Sequence, residues 1–97
     1  MGVSQVVTWK AGQLDVFQVS QGTLWHKWLL GANWANESIA GPNGGVSQGN
    51  IHATFPEQVP QVVIIDGQCH VTVTDQGGVV REFHQGNDDT WWAAQLP

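Results

Sequence analysis

The chain has 97 residues, of which 41% are apolar and only 11% are charged, and its net charge is −5. The length is that of one small domain, and three basic residues are too few to neutralise a nucleic-acid backbone or to hold an anionic membrane surface. The longest uncharged apolar run, residues 62–65, is far too short for membrane insertion.

The first forty residues have the pattern of four β-strands joined by hairpins. β-branched and aromatic residues with partial alternation predict the strands. The predicted strands are residues 6–10, 14–20, 24–30 and 34–40. Short glycine-containing connections at residues 11–13 and 20–22 have hairpin length. Along the third strand, alternation places His26 and Trp28 on one face and Trp25 and Lys27 on the other.

The middle of the chain, residues 41–60, begins as a loop rich in glycine and asparagine. We predict an additional edge strand at residues 50–55, which Pro56 ends. Ile51 and Phe55 have the character of exposed apolar residues, so this segment is either a contact with another protein or simply a long connection.

The remaining residues repeat the β pattern of the first forty. The predicted strands are residues 61–65, 70–74, 79–84 and 90–95. The turns at residues 66–68 and 75–78 combine aspartate, glutamine and glycine, which is common turn chemistry. Cys69 and His70 are adjacent and should therefore point to opposite faces of their strand. We interpret Cys69 as a small buried apolar residue, since a single cysteine cannot form an internal disulfide.

The two halves also share sequence. Residues 5–31 and 61–86 align with a one-residue gap at Ala11. The identical pairs are Gln5/Gln61, Val6/Val62, Val7/Val63, Gly12/Gly67, Gln13/Gln68, Val16/Val71, Gln21/Gln76, Gly22/Gly77 and Gly31/Gly86. The apolar pairs are Leu24/Val79, Trp25/Val80 and Trp28/Phe83. We therefore predict a single domain, residues 1–97, with one repeat at 4–40, an insertion at 41–59 and a second repeat at 60–97.

Tandem meanders of this size predict an all-β fold of two four-stranded antiparallel propeller-type blades, with a β-sandwich as the alternative. Closed propellers need about four to eight blades, so two blades would complete a ring only by oligomerisation. Three chains would supply six blades, and we predict a homo-oligomer with the trimer favoured over two or four chains.

The segment LDVFQVSQGTLWHKWLLGANW, residues 14–34, resembles the blade repeat of the PLL-like bacterial β-propeller lectins. The second repeat departs from that pattern, with His70 in place of Asp15 and Arg81 in place of His26. With two blades in one chain, the protein is similar to the small fucose-binding lectins that complete a propeller by trimerising. The resemblance implies a multivalent carbohydrate-binding module for fucose-type or related glycans.

A sugar site needs a flat aromatic ring for the C–H face of the sugar and polar groups for its hydroxyls. Tryptophans with amide and carboxylate neighbours occur in both repeats, although each could instead be structural. The candidate sugar-binding residues are Trp34, Asn33 and Glu37 in the first repeat and Trp91, Trp92, Asp88 and Asp89 in the second. His26 is more typical of a hydrogen-bonded structural histidine than of a ligand.

Other classes of function find less support. No nucleophile motif or phosphate loop is present, so we predict no enzyme and no cofactor. A metal site among Cys69, His70, His52 and His84 lacks zinc-like spacing, and we predict none.

The N-terminal residues do not resemble a signal peptide, which implies synthesis in the cytoplasm, with release or display on a virion surface left open. The alternative function is a structural component of a phage particle, such as a decoration, spike or tail protein.

Overall fold

The computed structural model describes residues 3–96, and it is all-β within that range. The first sheet contains β1 (Val3–Val7), β2 (Gln13–Ser20), β3 (Thr23–Leu30) and β4 (Asn33–Ala40). The second contains β5 (Gln61–Ile65), β6 (Gln68–Thr74), β7 (Val80–Gln85) and β8 (Trp91–Gln95). Consecutive strands pair antiparallel, so each sheet is a meander. No helix in the described range is long and apolar enough to cross a membrane.

The sequence predicted all eight strands but misplaced the first one. That strand was expected at residues 6–10 and lies at Val3–Val7. Residues 11 and 12 form a turn in which Lys10 O accepts a hydrogen bond from Gln13 N, and this turn ends the pairing with β2. Residues 1, 2 and 97 of the predicted domain lie outside the described residues.

The segment between the repeats forms no edge strand. Residues 50–55 make only an isolated bridge, between Gly41 and His52. Phe55 was expected to be exposed, but it is 1% exposed and packs edge-on against Phe83. Its backbone N–H donates to Gly22 O, and Gln76 N donates to Thr54 O, so the segment ties the two sheets together. It is pulled into the core because its apolar side chains fill the gap between the sheets.

The β6–β7 connection corrects the predicted alignment of the repeats. In the first repeat only residues 21 and 22 separate the paired ends of β2 and β3, whereas residues 75–79 separate β6 from β7. Asp75 Oδ1 accepts hydrogen bonds from two backbone N–H groups of that longer loop. The strand registers therefore place Glu82, not Arg81, at the position of His26.

The same shift changes two further equivalences. Trp28 corresponds to His84 rather than to Phe83, because Asp15 pairs with Trp28 and its counterpart His70 pairs with His84. Trp34 corresponds to Trp91. Trp34 pairs with Leu29, which follows Trp28, and Trp91 pairs with Gln85, which follows His84.

The core lies between the two sheets, which contribute opposite faces to it. Asp15 and Phe17 on β2 are buried, whereas their counterparts His70 and Thr72 on β6 lie on the outer, partly exposed face. The sheets thus stack front to back instead of meeting through equivalent faces. The buried apolar cluster comprises Phe17, Val19, Leu24, Ile39, Ala40, Phe55, Cys69, Val71, Val73, Phe83 and Trp91.

The two outer faces both carry large apolar side chains that are uncovered in the single chain. Large side chains on them are about half exposed. They are Val6 and Trp34 on the first sheet and Val63, Ile65 and Trp92 on the second. Soluble monomers rarely leave extended apolar patches open, so these faces have the character of contact surfaces.

The loop after β4 supplies a test of how tightly the connecting segment is packed. A Cβ atom on Gly45 would lie 2.3 Å from the backbone oxygen of Ile39, so we expect Gly45→Ala to lower the free energy of unfolding by about 1–3 kcal/mol. Gly86→Ala is the control, because its Cβ would approach other atoms no closer than 3.7 Å. Urea denaturation measures both, and equal stability of the two variants would contradict the close packing of this loop.

Candidate functional site

His26 is the centre of a polar cluster in the core. It lies on β3 between Asp15 of β2 and Glu37 of β4, and it is only 3% exposed. Its Nε2 is 2.7 Å from Asp15 Oδ1 and its Nδ1 is 2.8 Å from Glu37 Oε2. Ionised carboxylates only accept hydrogen bonds, so both ring nitrogens donate when both acids are charged. The expectation that His26 is a hydrogen-bonded histidine is confirmed.

Aromatic rings hold the His26 imidazole on all sides. It stacks on Phe17 and on Trp28, each with ring centroids 4.8 Å apart, and meets the edge of Trp91 at 5.5 Å. Trp9 lies 5.9 Å away. This packing fixes the orientation of the ring, and it also excludes water from the hydrogen bond with Asp15, which is fully buried.

Glu37 links the histidine to the second sheet. Its Oε2 accepts a hydrogen bond from Trp91 Nε1 at 3.0 Å, across the boundary between the sheets. Partial burial alone would raise the pKa of Glu37, but the hydrogen bonds from His26 and Trp91 outweigh it and lower the pKa below the usual value. Glu37 therefore presents a charged carboxylate at the edge of the core.

Lys10 and Asp89 form the rim of the same region. Lys10 Nζ lies 2.7 Å from Asp89 Oδ1 and 3.1 Å from Gln85 Oε1, so it bridges the turn after β1 and the loop before β8. Gln85 Nε2 in turn donates to Asp89 O. Asp89 is 75% exposed, and an ion pair in such contact with solvent adds little stability. The pair instead places one positive and one negative charge at the opening of a cleft between the sheets.

These groups surround a cleft of about 180 Å³ between the two sheets. Its lining residues are Lys10, Gln13, His26, Trp28, Glu37, Gln85 and Asp89. A shallower depression of about 640 Å³ borders it, formed largely by residues 8–14. The cleft combines a tryptophan with cationic, amide and carboxylate groups. This combination suits a small, uncharged ligand with several hydroxyl groups better than an apolar one.

The structure gathers three of the sequence-predicted site residues here. Glu37 and Asp89 line the cleft, and Trp91 donates to Glu37 from beneath it. Trp91 is 1% exposed, so its indole is part of the core and holds the cleft from behind.

The other four predicted residues lie elsewhere. Trp34 is 57% exposed on the outer face of the first sheet, and Trp92 is 45% exposed on the outer face of the second. Asn33 begins β4 at an exposed position, and Asp88 accepts a hydrogen bond from Thr90 N in the loop before β8. None of these four residues lines the cleft between the sheets.

Sequence reasoning missed Lys10, Gln13, Trp28 and Gln85 as lining residues. Lys10 and Asp89 are far apart in the chain, and no local pattern connects them. His26 was the available signal, because the chain carries few charged residues and a histidine amid apolar neighbours requires partners.

Cys69 faces this core from the second sheet. Burial, reinforced by the negative charge of Asp15, raises the pKa of its thiol to about 12. The thiolate is the reactive form of cysteine, so Cys69 is chemically inert here, as its interpretation as a buried apolar residue predicted.

Two adjacent tryptophans test the assignment of Trp91 to the core. We expect Trp91→Ala to lower the free energy of unfolding by about 3–5 kcal/mol, because it removes a fully buried indole and its hydrogen bond to Glu37. Trp92→Ala, which truncates an exposed ring, should cost about 1 kcal/mol or less at chain concentrations too low for association. Urea denaturation of both variants makes the comparison, and an equal loss would contradict the assignment.

The lowered pKa of Glu37 makes part of the stability depend on pH. A carboxyl group whose pKa is lower in the folded state stabilises the fold above its unfolded value, here 4.5, and loses that contribution as the pH falls through the folded value. We expect wild type to be more stable than Glu37→Gln at neutral pH and this difference to shrink at acidic pH. Thermal unfolding across pH measures it, with Glu57→Gln as the exposed control. A difference that does not change with pH would contradict the role of the Glu37 charge.

Comparison with known proteins gives no match: no protein-family model, curated protein or solved structure matches the chain. What the chain does must therefore be understood from its own residues and their geometry.

Proposed function

We propose that the protein is a multivalent, lectin-like carbohydrate-binding module that acts as a homo-oligomeric ring of propeller-type blades. The cleft between the sheets carries this proposal. It places Trp28 beside Glu37, Lys10 and Gln85, which supply an aromatic wall, an acceptor, a cationic donor and an amide. An aromatic ring can pack against the apolar C–H face of a sugar while the polar groups bond to its hydroxyls.

The size and electrostatics of the cleft favour a sugar over other ligands. A volume of about 180 Å³ lies below the ~300–1,000 Å³ range of pockets for drug-sized molecules, and so suits a single sugar residue. Charges of both signs line it, which disfavours a strongly anionic ligand. Fucose-type or related glycans are the class implied by the blade resemblance of residues 14–34.

The front-to-back stacking of the sheets supports propeller-type blades over a sandwich. The outer faces of a sandwich are normally polar, whereas here they carry Trp34 on one sheet and Val63 and Trp92 on the other. The outer face of the first sheet is equivalent by register to the inner face of the second sheet. A neighbouring copy could therefore repeat the internal contact and cover both faces, which is the head-to-tail geometry of a closed ring.

Such a ring would create a second type of crevice, between copies. Trp34 corresponds by register to Trp91, so it would lie between sheets of neighbouring chains as Trp91 does within one chain. Asn33 and Trp92 would then border this crevice, while Glu37 and Asp89 border the internal one. Three chains would give six crevices, and several weak sites on one ring bind a glycan surface with high avidity.

The uncovered apolar faces also favour a second candidate function. They require assembly whether or not the clefts bind sugar. A structural ring in a larger particle, such as a phage decoration, spike or tail protein, would cover these faces without any sugar binding.

Mass measurement and glycan binding in one buffer separate these functions. We expect the native protein to have three times the 10.5 kDa mass of the chain and to bind a defined class of glycans on an array. Lys10→Gln should weaken that binding about tenfold or more, because it removes a charged donor at the mouth of the cleft. Glu57→Gln, outside the cleft, is the control.

Each negative outcome has a different meaning. A stable oligomer that binds no glycan would refute the lectin function and leave the structural ring. A monomer at high concentration would refute the ring itself.

A further inference from the structure

We propose that His70, Glu82 and His84 form a binding site for a divalent transition-metal ion, with zinc as the best fit. His70 lies on β6 directly opposite His84 on β7, and Glu82 is two residues from His84 on the same face of the strand. The three side chains thus converge on the outer face of the second sheet. One ligand atom from each lies within 4.8 Å of the other two.

The distances within the trio are compatible with replacing its hydrogen bonds by bonds to a metal ion. His70 Nδ1 is 2.6 Å from Glu82 Oε2, and His84 Nδ1 is 2.8 Å from Glu82 Oε1. Ligand atoms at about 2.0 Å from a tetrahedral zinc ion lie about 3.3 Å apart. Each nitrogen–oxygen distance therefore needs to lengthen by less than about 1 Å, and ligand atoms that are up to 4.8 Å apart need to approach by about 1.5 Å at most. A neutral imidazole that binds the ion through Nδ1 carries its one N–H proton on Nε2. Such a ring therefore neither gains nor loses a proton when the metal binds.

The chemistry of the three groups selects the class of ion. Two imidazoles and one carboxylate suit zinc and its neighbours among the transition metals, whereas magnesium and calcium prefer all-oxygen sites. Three protein ligands leave a fourth position open, as in zinc sites that hold water or an external ligand. The site carries one negative charge from Glu82 in a chain of net charge −5, which favours a cation.

In a single chain, exposure makes the site reachable. The side chains of His70, Glu82 and His84 are 26%, 16% and 32% exposed, so an ion can enter from solvent while its ligands stay ordered by packing. The two imidazoles stack with centroids 5.3 Å apart, which holds both rings in place. Cys69 points to the opposite face and cannot contribute its thiol.

The equivalent positions in the first repeat show that this trio is particular to the second repeat. There the same three places hold Asp15, His26 and Trp28, which are packed under the second sheet. That trio has only one imidazole. The metal site therefore does not depend on the proposed sugar binding, and its three ligands come from a single chain; in the proposed ring they would lie at the boundary between neighbouring copies.

Zinc binding to the full chain without a histidine tag tests the proposal. We expect titration calorimetry with Zn²⁺ to give one ion per chain. Glu82→Gln and His84→Ala should each weaken binding at least tenfold, whereas His52→Ala, which removes an exposed histidine elsewhere, should leave it unchanged. Co²⁺ in place of Zn²⁺ should show the ligand-field absorption of a low-symmetry site without the charge-transfer band of a thiolate.

Stability provides an independent readout. An ion that binds only the folded chain should raise the thermal midpoint of wild type but not that of Glu82→Gln. Circular dichroism establishes that each variant is folded before its binding is compared. Absence of stoichiometric Zn²⁺ binding would overturn the proposal, and so would equal loss of binding in His52→Ala and His84→Ala. In either case the trio would be a hydrogen-bonded cluster only.

Discussion

The constraint on which this structure depends is that both sheets carry large apolar side chains on two faces, while the described residues provide one contact between sheets. Alternation along a strand places large apolar side chains on each side of the first sheet, with Phe17 facing inward and Trp34 outward. The internal contact therefore buries one face of each sheet. The equivalent face of the other sheet stays open. The core, the exposed tryptophans and the expected association all follow from this geometry.

Within that contact, Asp15, His26 and Glu37 form one connected hydrogen-bonded cluster. Asp15 is fully buried, and an unpaired carboxylate there would cost several kcal/mol. His26 supplies the partner, Glu37 completes the other side of the ring, and Trp91 connects Glu37 to the second sheet. The cluster ends in the cleft at Lys10 and Gln85, so the groups that stabilise the interface also prepare the candidate sugar site. Under the proposed function, stability and binding are therefore coupled at Glu37.

The duplication explains why one chain offers two different chemistries. After the five-residue β6–β7 loop, the strand registers place Glu82 and His84 where the first repeat has His26 and Trp28. The same geometric positions thus hold a closed polar cluster in one repeat and an open trio of two histidines and a glutamate in the other. A fold built from repeats can change the function of a position without changing the backbone, provided that the altered face is not the one that the chain itself buries.

The sequence alone determined the all-β class, the eight strands and the hairpin connections, because alternation and turn residues act locally. It also predicted that Cys69 would be buried and His26 hydrogen-bonded. It misaligned the second half of the repeat, since the length of the hairpin loop is decided by the Asp75 hydrogen bonds and not by matching glycines. It placed Phe55 outside because nothing local shows that residues 41–60 fold back between the sheets. Only the tertiary structure brought Lys10 to Asp89 and His70 to His84, because these contacts depend on register and on sheet stacking, which join residues that are distant along the chain.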